Sequence, residues 1–387
     1  MTLFSLPASY DKYLDFLPLF GVAVLTAFVV TPIVGLIARR FKVLGYPPSL
    51  RKGSKPSDYR HLEKQPTPLL GGSAVILPFL ILVFANVSPS PALLILLAAV
   101  SILFIMGIID DFSELSGKTQ LIIQLIAAIA LAASTIDLSY INNPFGGIIN
   151  LDLYSLSGSF WGIPLHIVLP GDILLVGWIL ICSIAVKFTS GTDGLMEGNS
   201  FIAGILFFLL SVRFHNTETA TASIIFAGLV AGFLFFNFYP AKIWSGSSGK
   251  STYGFILAVL SVLSEAKLAI SIIILLLPLL DFFWVIVNRF IVHRPKNPLK
   301  LLAISDRTHL HHRLLDLGLS ERKVAFLEYI LSGLLGSIAL ALAGTLKAFA
   351  FLIVLIFVVG ILGYISFLKN HTPTSEQTDS PEKKFSY

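Results

Sequence analysis

Residues 17–38 read LPLFGVAVLTAFVVTPIVGLIA, 22 consecutive positions without a charged side chain, and Arg39-Arg40 close the run. A helix rises ~1.5 Å per residue, so this run is long enough to cross the ~30 Å hydrocarbon layer of a bilayer. It is too long for a signal-peptide core and no small-residue cleavage site follows it, so it reads as retained. The pattern recurs at Leu268–Val287 and, with breakers between, along most of the chain. Of 387 residues, 55% are hydrophobic and 13% charged. A soluble domain carries ~25% charged residues, so a soluble enzyme, a secreted disulfide scaffold and a disordered protein are all excluded. The sole cysteine, Cys182, lies inside an apolar run, which rules out an intrachain disulfide and argues against redox chemistry.

Apolar runs and their breakers predict an all-α polytopic membrane protein with 10–11 spans. The candidates are roughly 16–38, 69–87, 91–109, 119–136, 172–187, 199–214, 222–239, 251–264, 268–291, 325–344 and 347–368. Residues 1–368 form one integral membrane domain, and the polar, proline-containing tail 369–387 reads as disordered. Arg39–Thr67 holds eight Lys and Arg, Arg289–Lys323 holds eight more, and the connection 137–171 holds none. Alternating these loops across the membrane places 23 of the 27 basic residues on one side. The positive-inside rule then predicts an N-terminus outside and large basic cytoplasmic loops. Charge distributed in this way explains the net +5 without a nucleic-acid partner. The outside connection 137–171, with its alternating Ile148–Leu153, reads as a short hairpin or interfacial loop.

Four predicted cytoplasmic loops carry polar clusters that a plain connector does not need. Gly107-Ile-Ile-Asp110-Asp111 abuts an apolar run, where paired carboxylates are costly and mark function. Lys187-Phe-Thr-Ser190-Gly-Thr-Asp193-Gly combines tight-turn glycines with an oxygen donor for a hard cation. Gly246-Ser-Ser-Gly249-Lys250-Ser251 ends like a P-loop, but Trp244 stands where the first glycine belongs and no strand precedes it, so a Walker motif is excluded. A Gly-Ser-Lys loop still suits phosphate. The last cluster, Asp306-Arg307-Thr-His309-Leu-His311-His312-Arg313, suits phosphate better than zinc, because its arginines repel a cation and donate to phosphate. For each cluster the bland alternative is a solvated turn. Their shared side of the membrane favours phosphoryl chemistry between a soluble anion and a lipid. A transporter would place ionisable groups nearer the bilayer midplane.

These residues resemble the polyprenyl-phosphate N-acetylhexosamine-1-phosphate transferases of glycosyl transferase family 4. The resemblance runs from about Pro66 to Ser320. It rests on Pro-Thr-Pro-x-x-Gly-Gly at 66–72, Gly-x-x-Asp-Asp at 107–111, Lys118, Asp193-Gly-Leu, Asn237 with Pro240-Ala241, and the closing Asp-Arg-x-His-Leu-His-His-Arg. It implies that a lipid phosphate attacks the β-phosphate of a UDP-sugar, giving a lipid-diphosphate sugar and UMP, with Mg²⁺. Carried over residue by residue, it makes Asp110, Asp111 and Asp193 catalytic, with Asp193 also the metal-side carboxylate. Lys118, Asn237, His309, His311, His312 and Arg313 become the substrate-binding set, and Lys187 and Lys250, which the family pattern lacks, are assigned to it on their charge. The segment His309–Ser320 looks closer to the N-acetylglucosamine branch than to the muramoyl-pentapeptide branch. The implied partners are a polyprenyl phosphate, a UDP-N-acetylhexosamine, the membrane and a second copy of the chain. The implied location is the plasma membrane, with the site at its cytoplasmic face. The chain departs from the pattern at Ser190 and Ser247, where acidic residues are usual, and Ser247 is the expected second metal position. Lys187 and Lys250 are gained. Serine hydroxyls replace carboxylates poorly for Mg²⁺, which leaves metal dependence open and keeps a weakened, lipid-phosphate-binding homologue as the alternative.

Overall fold

Helices start where the chain supplies a cap. Ser90 Oγ accepts from Leu93 N at 3.2 Å, Ser116 Oγ from Thr119 N at 3.2 Å and Asn216 Oδ1 from Thr219 N at 3.0 Å, each satisfying a donor that the first helical turn leaves open. The computed structural model describes residues 11–45, 66–134, 136, 138–142, 147–160, 163–264, 268–295, 301, 308–341 and 360. In chain order the helices are α1 (Asp11–Leu14), α2 (Leu17–Arg40), α3 (Ser73–Asn86), α4 (Pro91–Ser113), α5 (Gly117–Ala132), α6 (Gly171–Phe188), α7 (Leu195–Arg213), α8 (Thr217–Asn237) and α9 (Gly246–Leu263). They continue with α10 (Leu268–Ile274), α11 (Leu276–His293), α12 (Leu310–Asp316) and α13 (Glu321–Ala341).

Every expected span as far as 325–344 has a helical counterpart, and 347–368 lies outside the described residues apart from position 360. Seven of the described helices are long and apolar enough to cross a membrane. The tail 369–387 and, in the two basic connections, residues 46–65, 296–300 and 302–307 also lie outside the described residues. The expected span 268–291 is divided at Leu275, because Pro278 has no N–H for the carbonyl of Ile274 and its ring crowds that turn.

The all-α expectation needs one correction. Short antiparallel pairs join the helices: β1 (Leu44–Gly45) with β2 (Thr67–Pro68), β3 (Tyr140–Asn142) with β4 (Ile148–Asn150), and β5 (Asp152–Phe160) with β6 (Ile163–Pro170). The last is a full hairpin, with Phe160 opposite Ile163 at its tip and Asp152 opposite Pro170 at its base. Its strands hold no Lys or Arg, and the alternation seen from Ile148 onward is what lets them pair.

Helix α8 packs against α2, α3 and α7, and α9 packs against α4 and α6. Phe207, Phe226, Phe233, Tyr253 and Phe255 are buried between these helices. The polarity runs opposite to that of a soluble protein. Ser211, Thr219, Ser223, Ser251 and Thr252 are buried, while Leu25, Leu36, Ile81, Ile105, Ile126 and Phe235 are exposed. Such a surface is stable only against lipid, and two of the inward hydroxyls find carbonyls of their own helices, Ser211 Oγ with Phe207 O at 2.8 Å and Thr252 Oγ1 with Ser248 O at 2.6 Å.

Candidate active site

Neighbouring helical residues point ~100° apart, so Asp110 and Asp111 at the end of α4 serve different partners. Asp111 turns inward: Oδ1 accepts from Ser247 N at 2.6 Å, and Oδ2 from Ser248 N at 3.2 Å and Ser248 Oγ at 3.0 Å. A carboxylate thus caps the N-terminus of α9, where the unpaired N–H groups and the helix dipole favour negative charge. Asp110 turns toward α5, and its Oδ1 accepts from Leu115 N at 2.5 Å and Gln120 Nε2 at 3.0 Å. Gln120 in turn accepts from Lys187 Nζ at 2.6 Å, so an amide links the ammonium at the end of α6 to the first carboxylate.

Glycines bring the α9 N-terminus close to its neighbours. Gly71 N donates to Trp244 O at 2.9 Å and Gly72 N to Ser245 O at 2.8 Å. A Cβ at Gly72 would meet the Gly249 backbone, one at Gly107 would meet Ser248, and one at Gly246 would meet the Asp111 carboxylate. Gly246 also has φ +65°, a conformation that L side chains rarely adopt. The Gly-Gly at 71–72 and the glycine opening Gly-x-x-Asp-Asp therefore serve one purpose, a close three-way backbone approach.

The segment 189–194 is tied to the loop before α9. Asp193 Oδ2 accepts from Ala241 N at 2.8 Å and Oδ1 from Trp244 Nε1 at 3.0 Å. Asn237 Oδ1 accepts from Gly194 N at 3.1 Å, and its Nδ2 donates to Ile243 O at 2.9 Å. Glu197, on the first turn of α7, accepts from Ser245 Oγ. Between these pieces lies a small open cleft lined by Ser190, Asp193, Glu197, Trp244, Lys250 and Glu321.

The histidines stand at the start of α12. His309 Nδ1 is 2.7 Å from Asp281 Oδ2, and Leu310 N donates to Asp281 Oδ1 at 2.6 Å. His309 and His311 stack with ring centroids 5.5 Å apart, and His312 lies 4.3 Å from His311. Gly191 packs directly against the His311 ring, which joins this group to the 189–194 segment. Arg313 is buried, with its guanidinium 4.8 Å from the Trp284 ring centre and its Nε donating to Thr308 O at 2.8 Å.

Asp110, Asp111, Lys187, Asp193, Asn237, Lys250, His309, His311, His312 and Arg313 are therefore neighbours, or neighbours of neighbours. Lys118 is exposed on the first turn of α5, outside the hydrogen bonds just described. Asp306 and Arg307 lie outside the described residues. Three of the four clusters sit on helices and not in loops: the aspartate pair on α4, the Gly-Ser-Lys segment on α9 and the histidines at α12. Gln120 and Asp281 are site residues that motif reading passes over, whereas Glu197 closes the cluster that begins at Lys187. An acid such as Asp281 inside an apolar run is itself the signal that could have found it.

The donor set was tested against the expected Mg²⁺, and it does not fit. Mg²⁺ needs near-octahedral oxygen geometry and is usually held through one or two carboxylates. Each oxygen of Asp193 and of Asp111 already accepts at least one N–H or O–H donor, which reduces what either carboxylate can offer a metal. Ser190 Oγ is turned away to Lys187 O at 2.8 Å. Among the described residues no group of three or more His, Cys, Asp or Glu is placed to hold a metal ion.

Comparison with known proteins agrees with this geometry. A sequence model described as Glycosyl transferase family 4 matches residues 93–265, from α4 to α9. The chain is 26% identical over 348 residues to a probable undecaprenyl-phosphate N-acetylglucosaminyl 1-phosphate transferase of Bacillus subtilis, covering 87% of this chain and 88% of that one. It is 29% identical over 350 residues to the decaprenyl-phosphate N-acetylglucosaminephosphotransferase of Mycobacterium leprae, covering 81% and 79%. It is 30% identical over 260 residues to the phospho-N-acetylmuramoyl-pentapeptide-transferase of Halalkalibacterium halodurans, covering 64% and 75%.

Proposed function

The chain belongs to glycosyl transferase family 4, and from that premise we propose that it transfers N-acetylglucosamine-1-phosphate from a UDP-sugar to a polyprenyl phosphate in cell-envelope precursor synthesis. It is a membrane phosphoglycosyltransferase. A phosphate oxygen of the lipid bonds to the β-phosphorus of the donor, the bond from that phosphorus to the bridging oxygen breaks, and the electron pair leaves on UMP.

One observation carries the assignment of residues: the carboxylate pair, the α9 N-terminus, the 189–194 segment and the histidine helix form one connected group. Asp110 is half-buried and flanked by exposed Ile109 and Phe112, so a lipid phosphate can approach it sideways from the bilayer. Asp110 accepts a proton from the lipid phosphate as its oxygen attacks, within reach of Lys187 through Gln120. Asp111 holds the α9 N-terminus and so positions Lys250, one helical turn on, whose ammonium favours the charge gathering on the phosphates. The cleft beside Asp193 and Lys250 takes the donor, with Asp193 and Asn237 fixing its walls. His309, His311 and His312 contact the diphosphate or sugar, and Arg313, anchored on Trp284, sets the position of α12.

The positive-inside pattern supports a plasma-membrane protein with eleven spans, an N-terminus outside and this site on the cytoplasmic face. Residues 1–368 act as one catalytic domain, and a second copy of the chain is a proposed partner. A muramoyl-pentapeptide donor is the second reading, favoured by 33% identity over 229 residues to such a transferase of Prochlorococcus marinus. The test is an assay of membranes containing the chain with UDP-sugars radiolabelled in the sugar. Labelled lipid diphosphate and UMP should appear in equal amounts from UDP-N-acetylglucosamine, and Asp110→Asn should abolish both. Lipid product from the muramoyl-pentapeptide donor alone would select the second reading. Absence of lipid product with every donor would leave the weakened, lipid-phosphate-binding homologue favoured by Ser190 and Ser247.

A further inference from the structure

We infer that the cation of this site is built into the chain: the Lys250 ammonium, with Lys187 beside it, neutralises the donor diphosphate, and no resident divalent ion is needed. This inference rests on the proposed function and adds to it how the donor's charge is met.

The carboxylates that survive here already serve the fold. Asp111 accepts three donors of the α9 N-terminus, and Asp193 accepts Ala241 N and Trp244 Nε1. The two positions where the family pattern adds acids carry hydroxyls, and one of these, Ser247, instead presents its backbone N–H to Asp111. Lys250 lines the donor cleft one helical turn into α9. It lies within electrostatic reach of Asp111, Glu197 and Lys187. An ammonium therefore stands among the carboxylates, and it would repel a divalent ion placed there. Lys187 acts on Asp110 and Asp111 and is held in place by Gln120. Replacing two carboxylates by hydroxyls and adding two ammoniums raises the local charge by more than the two units Mg²⁺ brings. Lysine is a compact point charge suited to phosphate, and its position here is fixed before the donor arrives.

The test uses the purified full-length chain in detergent, with UDP-N-acetylglucosamine and Mn²⁺ as probes. Donor affinity measured in excess EDTA should match that in Mg²⁺ within about two-fold, and the bound-Mn²⁺ count by electron paramagnetic resonance should stay far below one per chain. Lys250→Ala should weaken donor binding in EDTA at least ten-fold, and Lys250→Arg should recover most of it. The double variant Lys250→Ser with Ser247→Asp should gain a bound Mn²⁺ and a Mg²⁺ requirement for donor binding. Stoichiometric Mn²⁺ on the wild type, or donor binding lost in EDTA and restored by Mg²⁺, would overturn the inference. The wild-type Mn²⁺ count does not depend on any variant folding or on turnover. Failure of the transfer assay with every sugar would count against the proposed function, while these binding arms would still decide between ammonium and metal.

Discussion

Asp111 holds the start of α9 through three hydrogen bonds, so its removal tests whether the carboxylate pair is divided between organisation and chemistry. Asp111→Ala leaves Ser247 N–H and Ser248 N–H without their acceptor. A buried donor left unsatisfied costs ~1–3 kcal/mol, and the lost charge at the helix N-terminus adds ~0.3–1 kcal/mol. For the two donors the sum is ~2–7 kcal/mol. Asp111→Asn keeps one acceptor oxygen and should lose about half of that. At ~2 °C per kcal/mol, the lower end for large domains, Asp111→Ala should lower the thermal midpoint by ~4 °C or more. Asp111→Asn should fall between it and the wild type. Intrinsic tryptophan fluorescence of the detergent-solubilised protein is a suitable readout, because Trp244 sits on the loop entering α9. Asp110→Asn should abolish transfer with a distinctly smaller shift, since that side chain is half-buried and closes only the turn into α5. An unchanged midpoint for Asp111→Ala would refute the organising role and return both acids to direct chemistry.

Other substitutions probe the connections around this centre. Gln120→Ala cuts the link between Lys187 and Asp110 and should lower kcat ~10-fold, equivalent to ~1.4 kcal/mol of barrier, with donor affinity nearly unchanged; a fall in affinity alone would contradict it. Gly72→Ala places a methyl against the Gly249 backbone, and overpacking of ~1–3 kcal/mol or more should appear as loss of monodisperse protein on size exclusion. Asp281→Asn removes the carboxylate that fixes His309 and should reduce transfer ~10-fold, the lower range for an outer-shell partner, with partial recovery in Asp281→Glu; wild-type turnover would make the pair purely structural.

Composition and apolar runs made the membrane fold legible, because a lipid-facing helix must be apolar over a length set by the bilayer. They were less informative where a helix is sheltered by protein. Helices α7, α8, α9 and α13 begin with Leu195, Thr217, Gly246 and Glu321, each several residues before the apolar run that marks them, since buried polar side chains there are paired within the bundle. The hairpin of β5 and β6 was foreshadowed by alternation at Ile148–Leu153, although its length was not. In the site, paired acids and glycine spacing marked the right segments. Their roles were not readable, because a one-dimensional pattern does not show that Asp110 and Asp111 point to different helices. Gln120 and Asp281 escaped notice for the same reason: each matters through a partner 67 and 28 positions away, respectively. Ser190 and Ser247 were legible as departures, and the occupied oxygens of Asp111 and Asp193 give those departures a structural setting.

The close grip on the α9 N-terminus has a thermodynamic consequence for ligand association. Backbone donors pinned by Gly71, Gly72, Gly107 and Asp111 have little conformational freedom left to lose. An anion arriving in the adjoining cleft therefore meets walls already in place, without the ordering entropy that a mobile phosphate loop would exact, and the remaining immobilisation falls mainly on the Lys250 side chain, ~0.5–1.5 kcal/mol for a rotamer-rich group. Binding to such a rigid surface should carry a small heat-capacity change set by the area desolvated, without the large negative contribution of coupled folding. The same rigidity limits adaptation: an anion of the wrong length cannot be accommodated by loop movement, so the helix end acts as a ruler for the spacing between phosphate and sugar.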